Sequence, residues 1–181
     1  MPISDTDVKL IDPETGKSPK SGEPGEIVIR GPQIMSGYYN QPAETANAVR
    51  DGWMHTGDVA KMDEDGYFYL VDRLKDMVIV SGFKVFTREV DEVLAKHPDV
   101  LMAATIGMPD PERPGSERVG CAIVLREGVA KSNEEKDKIR TFLKEHVAAY
   151  KMPRVIEFME ELPTSGVGKI LKRELRKIMA G

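Results

Sequence analysis

The chain is poor in several residues that would narrow its chemistry. Among its 181 residues it has one cysteine, three histidines and one tryptophan. A single thiol excludes an internal disulfide framework. Cys121 lies in the apolar run "VGCAIVL" and reads as a buried structural thiol, which suits a reducing compartment and leads us to expect a cytoplasmic protein. His55, His97 and His146 stand far apart and show no metal-ligand spacing, so no metal site is expected. No apolar run approaches the ~18 residues of a membrane span, no signal-peptide pattern opens the chain, and the terminal "IMAG" is no receptor-read address. A basic excess is also missing: Lys plus Arg is 26 against 30 for Asp plus Glu, a net charge of −4, which argues against nucleic-acid binding. What remains is ordinary for a soluble protein, with 40% apolar and 31% charged residues. The length suffices for one medium domain or two small ones.

The chain changes character near its middle. Up to residue 72 it reads as short strands and turns: "DVKLID" and "EIVIRG" alternate in polarity, with the turn-rich "PETGKSPKSGEPG" between them. "GYYNQPAETANAV" suggests a turn and a short helix. "GWMHTGDVAKMDEDGYFYLVDR" reads as a hairpin turning at "EDG". From residue 77 to 181 the pattern is a compact α+β domain. "DMVIVSGFKVF" is strand, glycine turn, strand, and "TREVDEVLAKHPDV" places Val90, Val93 and Leu94 at helical spacing ahead of Pro98. Two strands, "VLMAATIGMPD" and "RVGCAIVLRE", flank a polar, proline-rich loop. Ser132 and Glu135 form a capping box ahead of a helix whose Ile139, Phe142, Leu143 and Val147 share one face. A strand in "RVIEFMEEL" and an amphipathic helix in "KILKRELRKIMA" close the chain. Residues 73–76, within the charged "VDRLKDM", form a border or hinge between the β-rich part and this domain.

Three short motifs carry chemistry with alternatives open. Lys169 follows a glycine in "ELPTSGVGKILKREL". A phosphate loop would need glycine five positions before Gly168, where Pro163 stands, and Ser or Thr after the lysine, where Ile170 stands, so a P-loop is excluded. That leaves a turn with a solvated lysine, or a loop that offers a long cation to a phosphate or carboxylate. Asp58 in "TGDV" either binds local backbone N–H groups or takes ribose hydroxyls. Gly82 in "SGFKVF" either forms a bend or lets a substrate chain run against bare backbone.

Together "GEPGEIVIRGPQIMSGYYNQPAET", "DGWMHTGDVA", "DGYFYLVDRLKDMVIVSGFKV" and "ELPTSGVGKILKREL", in this order, resemble the AMP-forming acyl-CoA synthetases of the adenylate-forming superfamily. The form "DRLKDMVIVSGFKV" looks most like bacterial and archaeal fatty-acyl-CoA ligases. The resemblance implies an α+β chain, with the β-rich tail of a large AMP-binding domain followed by a small C-terminal domain of mixed sheet flanked by helices. It implies that Asp58 binds the ribose hydroxyls of ATP or AMP and that Arg73 contacts ribose or phosphate. Lys75 falls on the hinge about which the small domain turns. Lys169 corresponds to the lysine that meets the substrate carboxylate and the α-phosphate. Ser81, Gly82 and Lys84 line the pantetheine tunnel of CoA, with Lys84 also placed for the AMP phosphate or CoA. Arg113 and Arg118 fall where some relatives hold CoA phosphates. The implied substrates are ATP, CoA and a fatty acid or other carboxylate.

The chain also departs from that family. Neither the Ser/Thr/Gly-rich loop that holds the ATP phosphates nor the adenine segment is matched, and the acyl pocket and the binding of Mg2+ belong with them. The chain corresponds to about the last third of such an enzyme. Met1 ahead of "PISDTDVKLID" is expected to mark an engineered boundary or a truncated reading frame. The chain alone is expected to lack ligase activity. Residues 1–72 are expected to be under-packed without the remainder of the large domain, and to be disordered or paired with another copy through strand edges. Ser81 stands where luciferase-like members have lysine, and Thr87 replaces a usual proline and is expected to cap the first helix. Two other readings are an adenylation domain that loads a carrier protein and a non-catalytic nucleotide- or partner-binding module.

Overall fold

The computed structural model describes residues 3–180, which fall into two compact units meeting at Lys75 and Asp76. In the first unit β1 (Asp7–Ile11), β2 (Gly25–Arg30), β3 (Val49–Arg50), β4 (Trp53–Met62) and β5 (Phe68–Arg73) form one antiparallel sheet. β2 lies between β1 and β4, and β3 and β5 share the far edge of β4. A short helix, α1 (Pro42–Ala48), starts at a proline that fits the first turn. The expected β4–β5 hairpin turns on Asp63, whose carboxylate accepts the N–H groups of Asp65 and Tyr67 and the Tyr69 hydroxyl. Trp53 is contacted by two cations, with Lys9 Nζ 4.0 Å and Arg30 Cζ 4.7 Å from its ring centre, and so ties β1, β2 and β4 together.

This unit buries little. Among the described residues its buried apolar side chains are Leu10, Ile11, Val28, Val59 and Ala60, while Tyr39, Tyr67, Tyr69 and Leu70 are exposed. At ~2 kcal/mol for each large buried side chain, such a core contributes little against the entropy of ordering the chain.

The second unit is better filled. β6 (Val78–Val80) and β7 (Phe83–Val85) form a two-residue hairpin, followed by α2 (Thr87–Leu94). β8 (Val100–Pro109) and β9 (Glu117–Leu125) pair antiparallel, and β10 (Val155–Phe158) adds to β9 in parallel, giving a short mixed sheet. α3 (Asn133–His146) and α4 (Lys172–Ala180) complete the unit. β9 is buried on both faces, so it reads as a continuous apolar run without alternation. Val119, Cys121, Ile123 and Leu125 pack with Val90 and Leu94 of α2 and Ile139 and Leu143 of α3. Ala122 and Val124 pack on the opposite face with Leu175 of α4 and with Leu162, which precedes the Lys169 loop. The chain is thus α+β, and its second unit is a sheet flanked by helices on both faces.

Two helix starts differ in detail from the sequence reading. Thr87 does not cap α2: Phe86 occupies the cap position without a side-chain bond, and Thr87 is the first helical residue, fully buried. Its hydroxyl accepts a bond from Lys172 instead. At α3 the Ser132 hydroxyl accepts the Glu135 N–H at 3.2 Å, as a capping box requires. The Ser132 N–H, however, donates to Ala130 O, and the Glu135 carboxylate turns to Lys138 at 2.9 Å.

Candidate active-site elements

The "TGD" stretch is a bulge in β4. Pairing runs Glu26 with Val59 and then Val28 with His55, so Thr56, Gly57 and Asp58 stand opposite Ile27 alone. Extra residues leave ladder groups without their regular partners. Side chains replace them: the Thr56 hydroxyl donates to Ile27 O at 2.8 Å and accepts Asp58 N–H at 3.1 Å. Gly57 N–H donates to Glu26 Oε1 at 3.1 Å, and Glu26 Oε2 lies 2.9 Å from His55 Nδ1. Gly57 has φ +72°, a left-handed conformation that favours glycine. The bulge delivers Asp58 beside Arg73, its partner in the β4–β5 ladder. Asp58 Oδ1 and Arg73 Nε stand 3.6 Å apart, an ion pair too long for a hydrogen bond, and both side chains are about half exposed. Thr56, Gly57, Asp58, Arg73, Leu74 and Lys75 line an open cleft of about 500 Å3. Lys75 sits in a single 3-10 turn, Leu74–Asp76. Asp58 lines this cleft, while Thr56 and Glu26 take up the backbone groups of the bulge.

Lys169 lies in the second unit, on a loop closed by an isolated bridge between Thr164 and Ile170. Ser165 ties the loop three ways. Its N–H donates to Lys169 O at 2.8 Å, its carbonyl accepts Gly168 N–H at 2.8 Å, and its hydroxyl accepts Lys169 N–H at 3.2 Å; beyond it Leu171 N–H reaches Pro163 O. The backbone is therefore held, while the Lys169 side chain is exposed. Directly after the loop, Lys172 opens α4 and donates to Thr87 Oγ1 at 2.8 Å and to Asp91 Oδ2 at 3.0 Å. Asp91 Oδ1 accepts Thr105 N–H at 2.6 Å. Burial pushes the Asp91 carboxyl above its ordinary value, and Lys172 pulls it back only in part. The sequence reading passed over Ser165, Lys172 and Asp91. Asp91 is legible only as a helical position one turn beyond Thr87 on the inner side.

Ser81 and Gly82 are the two residues of the β6–β7 turn, with φ +50° and +86°. Both being left-handed defines a type I′ hairpin. A Cβ on Gly82 would meet nothing within 4 Å, so the turn, not crowding within this unit, is what requires glycine there. Arg113 Nη1 donates to Ser81 Oγ at 2.6 Å, and Ser81 N–H donates to Ser116 Oγ. Arg113 is thereby brought to Ser81 and bound to the hairpin. Arg118, on β9, has its Nε buried without a hydrogen-bond partner, and Lys84 on β7 is half-buried.

One grouping that sequence spacing missed has the composition of a metal site. His97, Asp99 and Glu135 offer atoms within 4.8 Å of one another. Asp99 N–H donates to His97 Nδ1, which puts the neutral ring's hydrogen on Nε2 and leaves it no lone pair for a metal. Lys138 already supplies positive charge to Glu135, whose Oε1 is buried without a hydrogen-bond partner. No helix among the described residues is long and apolar enough to cross a membrane.

The chain thus presents an exposed lysine on a tied loop in one unit and a carboxylate lining a cleft in the other. Residues 89–169 match the AMP-binding enzyme C-terminal domain and residues 1–39 match the AMP-binding enzyme family. The chain belongs to this adenylate-forming family. It is 44% identical over 176 residues to a long-chain-fatty-acid–CoA ligase of Yersinia pestis, covering 97% of this chain and 30% of that protein. It is 46% identical over 178 residues to a feruloyl-CoA synthase of an Amycolatopsis species, covering 98% of this chain and 35% of the relative. ATP-bound MatB from Rhodopseudomonas palustris superposes with a TM-score of 0.88 at 32% identity, over 98% of this chain and 35% of that one. The anthranilate CoA ligase AuaEII in complex with anthranoyl-AMP gives 0.85 at 34%, over 98% and 34%. The chain thus spans about a third of the length of these relatives.

Proposed function

We propose that the chain is the C-terminal portion of an ATP-dependent, AMP-forming acyl-CoA ligase. The observation that carries this reading is the presentation of Lys169: its backbone is fixed by Ser165 while its ammonium is left exposed. In the first half-reaction a carboxylate oxygen attacks the α-phosphorus of ATP and pyrophosphate leaves. Negative charge gathers at that phosphate, and one placed cation is worth ~3 kcal/mol, about 10²-fold in rate. Lys169 is that cation. Asp58 accepts from the ribose hydroxyls, and Arg73 stands beside it for ribose or phosphate. The resemblance assigns magnesium to a part of the family that this chain does not match, and no residue here is given that role.

In the second half-reaction the CoA thiol attacks the acyl carbonyl, the C–O bond to AMP breaks, and the thiol proton passes to solvent. Gly82 in the β6–β7 turn offers a side-chain-free point to the pantetheine arm, and Lys84, Arg113 and Arg118 supply positive charge. The bond from Arg113 to Ser81 makes Arg113 a brace for that turn more than a free phosphate ligand. Lys75, in the 3-10 turn between the units, takes up the backbone change that lets the second unit serve each half-reaction in turn. The acyl substrate is a fatty acid on the strength of relatives such as the Yersinia ligase; the feruloyl-CoA synthase relative makes an aromatic acid the competing class.

The test joins this chain to the upstream two-thirds of a long-chain-fatty-acid–CoA ligase and follows acyl-adenylate and thioester formation separately. Replacing Lys169 by alanine slows adenylate formation about 10²-fold and leaves thioester formation from supplied acyl-adenylate within a few-fold. Equal loss in both steps would refute the assignment.

A further inference from the structure

We infer that Glu26, with His55, is a positioning residue for Asp58: it holds the β4 bulge in the one shape that turns that carboxylate into the cleft. This inference rests on the reading of Asp58 as the ribose-binding carboxylate. Glu26 lies on β2 in the same inward register as Val28 and is 5% exposed. A carboxylate taken out of water is costly unless each oxygen finds a donor. Here each oxygen has one, Gly57 N–H on Oε1 and His55 Nδ1 on Oε2.

Both donors belong to the bulged stretch of β4, and one of them is the backbone of the residue before Asp58. Since a carboxylate only accepts, His55 carries its hydrogen on Nδ1. Gly57 must stay left-handed for the chain to pass from the β2 ladder, where His55 pairs with Val28, to the β5 ladder, where Asp58 pairs with Arg73. Without an acceptor for its N–H, Gly57 gains by turning that group to water, and Asp58 turns with it. A carboxylate placed for two ribose hydroxyls tolerates only small misplacement.

Glutamine keeps the arrangement with a changed tautomer. Its oxygen accepts Gly57 N–H, and its amide N–H donates to His55 Nδ1, now protonated on Nε2. Alanine supplies neither bond. Aspartate keeps the charge but is one methylene too short to reach both donors.

The experiment uses the whole chain and two readouts in NMR: amide hydrogen exchange at Gly57 and Asp58, and titration with AMP against 2′,3′-dideoxyadenosine 5′-monophosphate. Trp53 fluorescence checks that the sheet is folded. In Glu26→Ala, Gly57 exchange rises about tenfold or more and the preference for AMP over the dideoxy nucleotide is lost. Glu26→Gln keeps both within about twofold. If the alanine variant does not fold, Glu26→Asp is read in its place, with the same loss expected. Asp58→Asn separates the two ideas. Loss of the preference in Asp58→Asn but not in Glu26→Ala overturns the positioning role alone. No preference in the unaltered chain overturns the ribose reading of Asp58, and the exchange at Gly57 then decides the inference, unchanged protection in Glu26→Ala overturning it.

Discussion

Replacing Lys172 by methionine removes the cation that ties the start of α4 to α2 while keeping most of the side chain's volume. Lys172 makes bonds of 2.8 Å and 3.0 Å to Thr87 and Asp91, and the two charged side chains are 18% and 22% exposed. Breaking a fully buried pair costs about 3–5 kcal/mol and an exposed one 0–1. This pair lies between those limits, and Asp91 keeps its bond from Thr105, so a loss of about 2 kcal/mol is expected. For a unit of this size that lowers the midpoint by roughly 10 °C. Asp91→Asn should cost only about 1 kcal/mol, since Lys172 can swing to water, and the double variant should show ~1 kcal/mol of coupling. The pH dependence has a definite sign. The folded state holds the Asp91 proton more tightly than the unfolded chain does, so this group's contribution to stability is greatest below its ordinary value of 3.8 and falls as pH rises through the higher folded value. Without Lys172 that value rises further, so the methionine variant loses more at pH 7 than at pH 4. Thermal and urea unfolding should be followed by far-UV circular dichroism, because α2, α3 and α4 all lie in the second unit. Trp53, the chain's one tryptophan, reports the first unit and should not move. Coupling near zero, or an equal loss at both pH values, would refute the reasoning.

Cys121 is fully buried and its thiol is pushed up to about 12, chiefly by burial. At pH 8 a disulfide reagent should label it about 10³-fold more slowly than a free thiol, with labelling appearing as the second unit unfolds; fast labelling of folded protein would contradict the buried placement. The chain alone, given ATP, CoA and palmitate, should form no thioester above background, because it does not match the loop that holds the triphosphate. Limited proteolysis should cut the first unit well before the second, as its few buried side chains imply, and equal protection would count against an under-packed sheet.

Local signals made much of the second unit legible. Ser132 followed by Glu135, with Ile139 and Leu143 at helical spacing, marks α3, and both apolar residues are fully buried. The uninterrupted apolar run around Cys121 marks β9, and Ser81–Gly82 marks a turn. What stayed hidden depends on partners far along the chain. The Glu135 carboxylate looks like half of a capping box but is drawn to Lys138, and Thr87 looks like a cap but is claimed by Lys172, 85 residues away. "TGD" shows a glycine and an acid. That it bulges appears only in its pairing with β2, where Glu26 stands 29 residues from His55 and 31 from Gly57. An acid two residues before Val28, and so on the same strand face as that buried valine, was the available clue to Glu26.

The central claim is that Lys169, fixed by Ser165 and exposed at its tip, acts in activation of the carboxylate and not in transfer to the thiol. The most direct measurement is pre-steady-state acyl-AMP formation by the joined ligase carrying Lys169→Ala, set beside its thioester formation from supplied acyl-AMP. The account predicts that the first rate falls about 10²-fold while the second stays within a few-fold; an unslowed first rate would contradict it.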